Sequence, residues 1–411
     1  MRPRIIVSIA IALMAAPAAA QLGLPGVGET LGRVTGSADG LVEGVVRTSR
    51  NSIEVLAAAR TDRLARLVRD NRQSMEFDAD AQPARRGELL LEGPDQADIE
   101  HAEQAGFTVI ARENFDDLGL AVVRLAVPRG LSLAQAERRL RKLLPDATIS
   151  ADQLYFSSAA PARAAAPGPA GHRGAPASAL SVPIGVIDGA PGASIPVKSI
   201  RGFAPGAPLA SDHGSAVASL LQQAGATDLF VADVYGTDPA SGNALAIVRA
   251  LGWLLSREVR VISISLVGPH NPVLAGAIAA VQSRGVVIVA AVGNDGPAAP
   301  LSYPASYPGV LAVTAVDGRN RALIEAGHAL HLDYAAPGAD MLAANAAGQW
   351  KPVRGTSFAT PLVAARAARA VSGRGAQWQA TLDSEARDLG RKGPDRVFGR
   401  GLICGTCRRT M

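Results

Sequence analysis

Residues 355–361 read Gly-Thr-Ser-Phe-Ala-Thr-Pro and run into an apolar, alanine-rich stretch. A glycine turn that opens a helix puts Ser357 close to N–H groups without intrahelical partners and to the positive end of the helix dipole, a good seat for a nucleophile. Pro361 is expected to be tolerated because its missing N–H would belong to the unpaired first turn. A hydroxyl is a poor nucleophile at its own pKa. It needs an imidazole to take its proton, a carboxylate to hold that imidazole's tautomer, and preset donors for the oxyanion. The chain offers Asp188 at the end of one apolar run, His213 at the start of a helical stretch and Asn294 after another apolar run. Each alone reads as a cap or a turn residue. Jointly they describe acyl transfer by a serine, which requires no cofactor.

The elements that must position these residues form the pattern of an open, mostly parallel α/β sheet over 182–405. Continuous apolar runs at 182–187, 229–234, 259–266, 286–292 and 311–316 read as strands, separated by helical stretches at 214–223, 244–256 and 272–284. Ligands of such sheets bind beyond the carboxyl ends of the strands. Asp188, Ser265 and Asn294 fall there. Upstream, 83–156 reads βαββαβ, a ferredoxin-like α+β unit without a catalytic grouping, in which Ser132 and Gln135 make a capping box. Segment 21–82 carries Ile53, Leu56, Leu64, Leu67 and Val68 at helical spacing and is assigned no chemistry. Segment 157–181, rich in Ala, Pro and Gly, cannot bury enough apolar surface to order itself and is expected to be a linker open to proteolysis.

Composition narrows the classes further. The 411 residues are 48% apolar and 19% charged, enough to bury sizeable cores. The net charge of +5 comes from scattered arginines with only 4% aromatic residues, so no nucleic-acid partner is indicated. Arg2 and Arg4, an apolar stretch over 5–14, and Ala18, Ala19 and Ala20 make 1–20 a secretory signal. No stretch is long enough to cross the roughly 30 Å hydrocarbon layer, so the expected location is secreted or periplasmic, without stable membrane insertion. Export favours a disulfide for Cys404 and Cys407 over free thiols, a redox pair or half a zinc site. His328, His331 and Asp333 read as a solvated turn before a metal site, and no metal is assigned. Asp295 reads as a turn residue, and His101, His172 and His270 have no supporting neighbours.

Val186, Ile187 and Asp188, then residues 213–218, then Gly293 and Asn294, then residues 355–361 resemble the motifs of the subtilisin-like serine proteases, in that family's chain order of Asp, His, Ser. Residues 264–266, 303–305, 307–317 and 336–338 resemble further family segments, and the likeness covers 182–402. It implies a subtilisin-like three-layer domain and a serine endopeptidase acting on protein or peptide substrates. Ser357 would be the nucleophile, His213 the base and then the acid, Asp188 its orienter, and Asn294 with the Ser357 N–H the oxyanion hole. Ser265, Leu266, Gly268 and Gly293 would lie along the substrate. The βαββαβ unit is similar to the family's propeptide, an intramolecular inhibitor and chaperone, with cleavage expected within 155–181.

The chain departs from the family pattern at Gly189 and Ala190, where Ser or Thr and then Gly is usual, at Leu362, usually His, and at Val267, usually Gly. Val267 and Val292 are expected to narrow the pocket for the residue before the scissile bond and to favour small or medium side chains there. One alternative is a catalytically weak binding or chaperone protein on the same fold. An α/β-hydrolase-type esterase is the other, and it needs a histidine after the serine, which this chain lacks.

Overall fold

The computed structural model describes residues 38–158, 178–180, 182–374 and 377–409. The expected signal, nearly all of the expected linker and His172 lie outside the described residues. A helix, α1 (Ala38–Asp70), leads into β1 (Met75–Phe77), β2 (Pro83–Glu92), α2 (Gln96–Gln104), β3 (Thr108–Phe115), β4 (Leu120–Ala126), α3 (Leu133–Leu143), β5 (Thr148–Gln153) and the short β6 (Phe156–Ser157). The capping box at Ser132 and Gln135 starts α3. Strands β3, β4, β2 and β5 pair in that order, as a βαββαβ chain requires when its two helices cover one face. Strand β1 adds to β2 as well, so the sheet begins eight residues before the expected unit.

The second unit comprises β7 (Ile184–Asp188), β8 (Ser199–Gly202), α4 (Asp212–Gln223), β9 (Leu229–Asp233), α5 (Ala244–Leu255), β10 (Val261–Ile264), β11 (Leu266–Val267), α6 (Pro272–Ser283), β12 (Val287–Ala291), β13 (Leu311–Val316) and β14 (Tyr334–Pro337). The hairpin of β15 (Met341–Ala344) and β16 (Trp350–Val353), then α7 (Thr356–Arg374) and α8 (Trp378–Glu385), complete it. Seven strands form one parallel sheet in the order β14-β13-β12-β10-β7-β9-β8. The two edge strands were not expected: Ser-Ile-Arg-Gly in β8 and Tyr-Ala-Ala-Pro in β14 lack the β-branched runs of the centre.

Alternate residues of the inner strands enter two cores. Val186, Val261, Val289 and Val313 pack with α4 and the alanine face of α7, whereas Ile187, Ile262 and Ile288 pack with α5 and α6. Strands β8 and β9 lie on one side of β7 and β10 and its successors on the other, so the strand order reverses between the parallel neighbours β7 and β10 and makes their carboxyl ends a switch point where a cleft opens. The run at 259–266 breaks at Ser265: β10 stops at Ile264, and β11 leaves the parallel sheet to pair antiparallel with β6.

The N-terminal unit rests on the first turns of α5 and α6. Asp152 Oδ1 accepts from Leu245 N–H at 3.0 Å, a carboxylate at a helix N-terminus. Asn271, which caps α6 through Leu274 N–H at 3.0 Å, donates its amide to Ala151 O at 3.0 Å and Gln153 Oε1 at 2.6 Å.

Candidate active site

Strand β7 delivers Asp188 to its carboxyl end, almost fully buried. Ser211 caps α4 by accepting from Gly214 N–H at 3.0 Å, so His213 sits inside the first helical turn rather than ahead of it as expected. His213 Nδ1 lies 2.8 Å from Asp188 Oδ1, and Gly189 N–H donates to that same oxygen at 2.7 Å. Asp188 Oδ2 and His213 Nε2 are buried with no partner among the described residues. The position beside the aspartate, noted as lacking a hydroxyl, is crowded. A Cβ at residue 189 would stand 2.3 Å from Ser211 Oγ, so a side chain there would displace the hydroxyl that caps α4.

Ser357 opens α7 as its second residue, after Gly355 at φ +139°, a conformation open to glycine. Pro361 is not within the unpaired first turn as expected. Its N–H would have gone to Ser357 O, and that carbonyl instead accepts from Ser265 Oγ at 2.9 Å, so the side chain after β10 replaces the missing helical donor. Thr356 N–H donates to Asn294 Oδ1 at 3.1 Å, which turns the Asn294 amide nitrogen toward the cleft. Gly293 N–H donates to Thr356 Oγ1 at 3.1 Å, tying the end of β12 to the start of α7.

The cleft holds the last described residues of the N-terminal unit. Ser157 lies opposite Leu266 and Phe156 opposite Val267 in an antiparallel pair. Ser158 N–H and Oγ both donate to Ser265 O, at 3.1 and 2.9 Å. On the facing wall Tyr155 N–H donates to Gly242 O at 2.7 Å, and Tyr235 OH donates to Tyr155 O at 3.2 Å. A Cβ at Gly268 would stand 2.5 Å from the Tyr155 ring, so glycine is what admits this side chain. Ser158 O is the focus. It accepts from Ser357 Oγ at 2.7 Å and from Asn294 Nδ2.

Beside Ser158 lies a cavity of about 1100 Å³, lined in part by Val267, Gly268, Gly293, Asn294 and Ser302. Val292 does not narrow it. That side chain is fully buried in the core with α5 and α6, because alternate strand residues face opposite ways, and Val267 is the one valine on the wall. Asp295 is more than a turn residue: it pairs with Arg60 and Arg63 of α1. His331 Nε2 lies 2.8 Å from Val310 O and 3.5 Å from Asp333 Oδ2. Cys404 and Cys407 form a disulfide. Among the described residues no three His, Cys, Asp or Glu side chains converge as a metal site would need. Gly242, Tyr235, Arg60 and Arg63 were not expected at the cleft, and no local motif marks them.

A family model described as the subtilase family, peptidase S8, matches residues 204–401. Subtilisin Savinase of Lederbergia lenta is 32% identical over 230 residues, covering 51% of this chain and 83% of that protein. The chain belongs to the subtilases. Subtilisin E of Bacillus subtilis (strain 168) is 32% identical over 248 residues, 54% of this chain and 64% of that protein. As a subtilase it is a serine-type endopeptidase with the subtilisin-like fold. Fervidolysin from Fervidobacterium pennivorans, titled a keratinolytic enzyme related to subtilisin, shares that fold at a TM-score of 0.64 and 16% identity, over 80% of this chain and 61% of that one.

Proposed function

We propose that this subtilase is an exported endopeptidase that cuts its own chain between Ser158 and Ala159, and that its βαββαβ unit then remains as the inhibitor of the enzyme it helped to fold. One observation carries the reading: Ser158 O is held by both Ser357 Oγ and Asn294 Nδ2, while Tyr155, Phe156 and Ser157 lie along the cleft in backbone register. Ser357 Oγ attacks the Ser158 carbonyl carbon as His213 Nε2 takes its proton, and Asp188 holds the other ring nitrogen. The carbonyl's electron pair moves onto its oxygen, where Asn294 Nδ2 stabilises it. Collapse expels the Ala159 amine, which takes the proton from His213, and water then hydrolyses the acyl-enzyme. In substrates the same walls at Ser265, Leu266, Gly268 and Gly293 would receive the peptide.

N-terminal sequencing of the secreted enzyme tests this: the expected mature terminus is Ala159, with Ser357 labelled by a fluorophosphonate. A terminus upstream of Tyr155 would sink the cleavage site. A Ser357 that stays unlabelled after the prodomain has been removed would favour a binding protein, a reading to which the unpartnered Asp188 Oδ2 lends weight.

The contact between the two units should also respond to pH. Burial pushes Asp152 up to about 6 from 3.8, against the pull of the Leu245 N–H, Arg249 and Arg85, and Glu88 nearby adds to the rise. A released prodomain would expose this carboxyl and return it to its ordinary range. The bound state therefore holds the proton more tightly, so attachment is strongest below pH 4, weakens as pH rises to about 6, and is level above. The expected loss in affinity is roughly 10- to 100-fold. Size-exclusion chromatography of the processed complex from pH 4 to 8 measures it, and Asp152→Asn should flatten the profile; an unchanged profile in that variant would refute the assignment.

A further inference from the structure

Helix α1 precedes the βαββαβ unit and takes no part in its sheet, yet one of its faces reaches the catalytic cleft. Leu56, Arg60, Arg63, Leu64 and Leu67 recur at three- and four-residue spacing, which aligns them along the helix. Arg63 Nη2 lies 2.8 Å from Asp295 Oδ1, and Arg60 Nε lies 3.3 Å from Oδ2. Asp295 directly follows Asn294, whose amide holds Ser158 O. Leu56 rests on Gly296 so closely that a Cβ there would stand 2.9 Å from its Cδ1. Arg60, Arg63, Leu64 and Leu67 line the cavity beside Ser158, and Leu67 and Val68 pack with Met75, Leu154 and Phe156 of the N-terminal unit and Ala240 of the catalytic unit.

We propose that Asp295 and Gly296, with the adjoining cavity wall, form a docking surface next to the cleft, that α1 of the same chain is its occupant, and that this contact keeps the enzyme inhibited after the Ser158–Ala159 bond is cut. The inference rests on the self-processing reading above. The charge match is specific, one carboxylate against two guanidinium groups, and the carboxylate is only 21% exposed. Once the bond is cut, the short β6–β11 pair no longer has a covalent link to hold it in the cleft. A helix over the cavity slows its departure by adding a second point of attachment. Because α1 lies before the cut, it leaves with the prodomain. Substitutions in α1 therefore yield a mature enzyme of unchanged sequence.

The test uses the full-length precursor, wild type and Arg60→Glu with Arg63→Glu, purified after cleavage and followed for the appearance of peptidase activity. The charge reversal is expected to shorten the delay between cleavage and activity roughly tenfold, with the same final activity per titrated active site. Arg60→Gln with Arg63→Gln should shorten it about threefold and serves if the reversed variant is not secreted. A delay equal to that of wild type in the secreted variant overturns the docking role while leaving self-processing intact. If the wild-type chain is not cut after Ser158, or is fully active at the moment of cutting, the self-processing or inhibitory reading itself fails.

Discussion

Ser357→Ala is expected to abolish peptidase turnover and to leave the precursor uncut at Ser158–Ala159. The fall in kcat should be about 10⁶-fold, as for the corresponding change in subtilisin. The substitution removes one oxygen whose one partner among the described residues is Ser158 O. The helix start is held independently by Thr356 N–H on Asn294 Oδ1 and by Ser265 Oγ on the residue-357 carbonyl, so the fold should persist. Its stability should change by no more than about 1 kcal/mol. Mass spectrometry of the purified precursor reads the outcome directly. Complete processing of the alanine variant without another protease would show that the cut is not made by Ser357.

Asp188→Ala should lower kcat by about 10⁴, again by analogy with subtilisin, with a much smaller effect on KM. Here the chain's own geometry adds a distinction. Both Gly189 N–H and His213 Nδ1 use Asp188 Oδ1, while Oδ2 has no partner among the described residues. An asparagine can place its amide oxygen at the Oδ1 position and its NH2 at the vacant one, which keeps the imidazole in the tautomer that accepts the serine proton. Asp188→Asn is therefore expected to retain at least about tenfold more activity than Asp188→Ala, the remaining loss being that of the charge facing the imidazolium. Equal kcat values for the two variants would show that the shared oxygen does not set the tautomer.

The sequence was most legible where the physics is local. The capping box at Ser132 and Gln135 is a relation between residues three apart, and α3 starts where it indicated. Apolar runs long enough to cross the sheet gave five inner strands, because a parallel strand covered on both faces has no polar positions to blur it. The edge strands β8 and β14 are covered less and carry mixed residues, so their sequences lack that signal. The motif residues Asp188, His213, Asn294 and Ser357 stand out for a related reason: each lies where a strand ends or a helix begins, and such boundaries leave a trace in the chain.

What the sequence could not decide concerns groups brought together over long separations. Arg63 and Asp295 are 232 positions apart, and Ser158 and Ser357 are 199 apart. Nothing near either residue announces such a partner. Val267 and Val292 looked equivalent as strand residues beside glycine, yet one lines the cavity and the other is buried in the core, since facing depends on where each strand breaks from the sheet. Gly189 read as a lost hydroxyl, and only packing shows that a side chain there would meet the capping Ser211 Oγ. Local chemistry along the chain therefore determined the reaction class and the elements that would carry it. Tertiary packing decided which carbonyl lies beside Ser357 and which helix lines the cavity next to it, because those contacts join segments far apart in the chain.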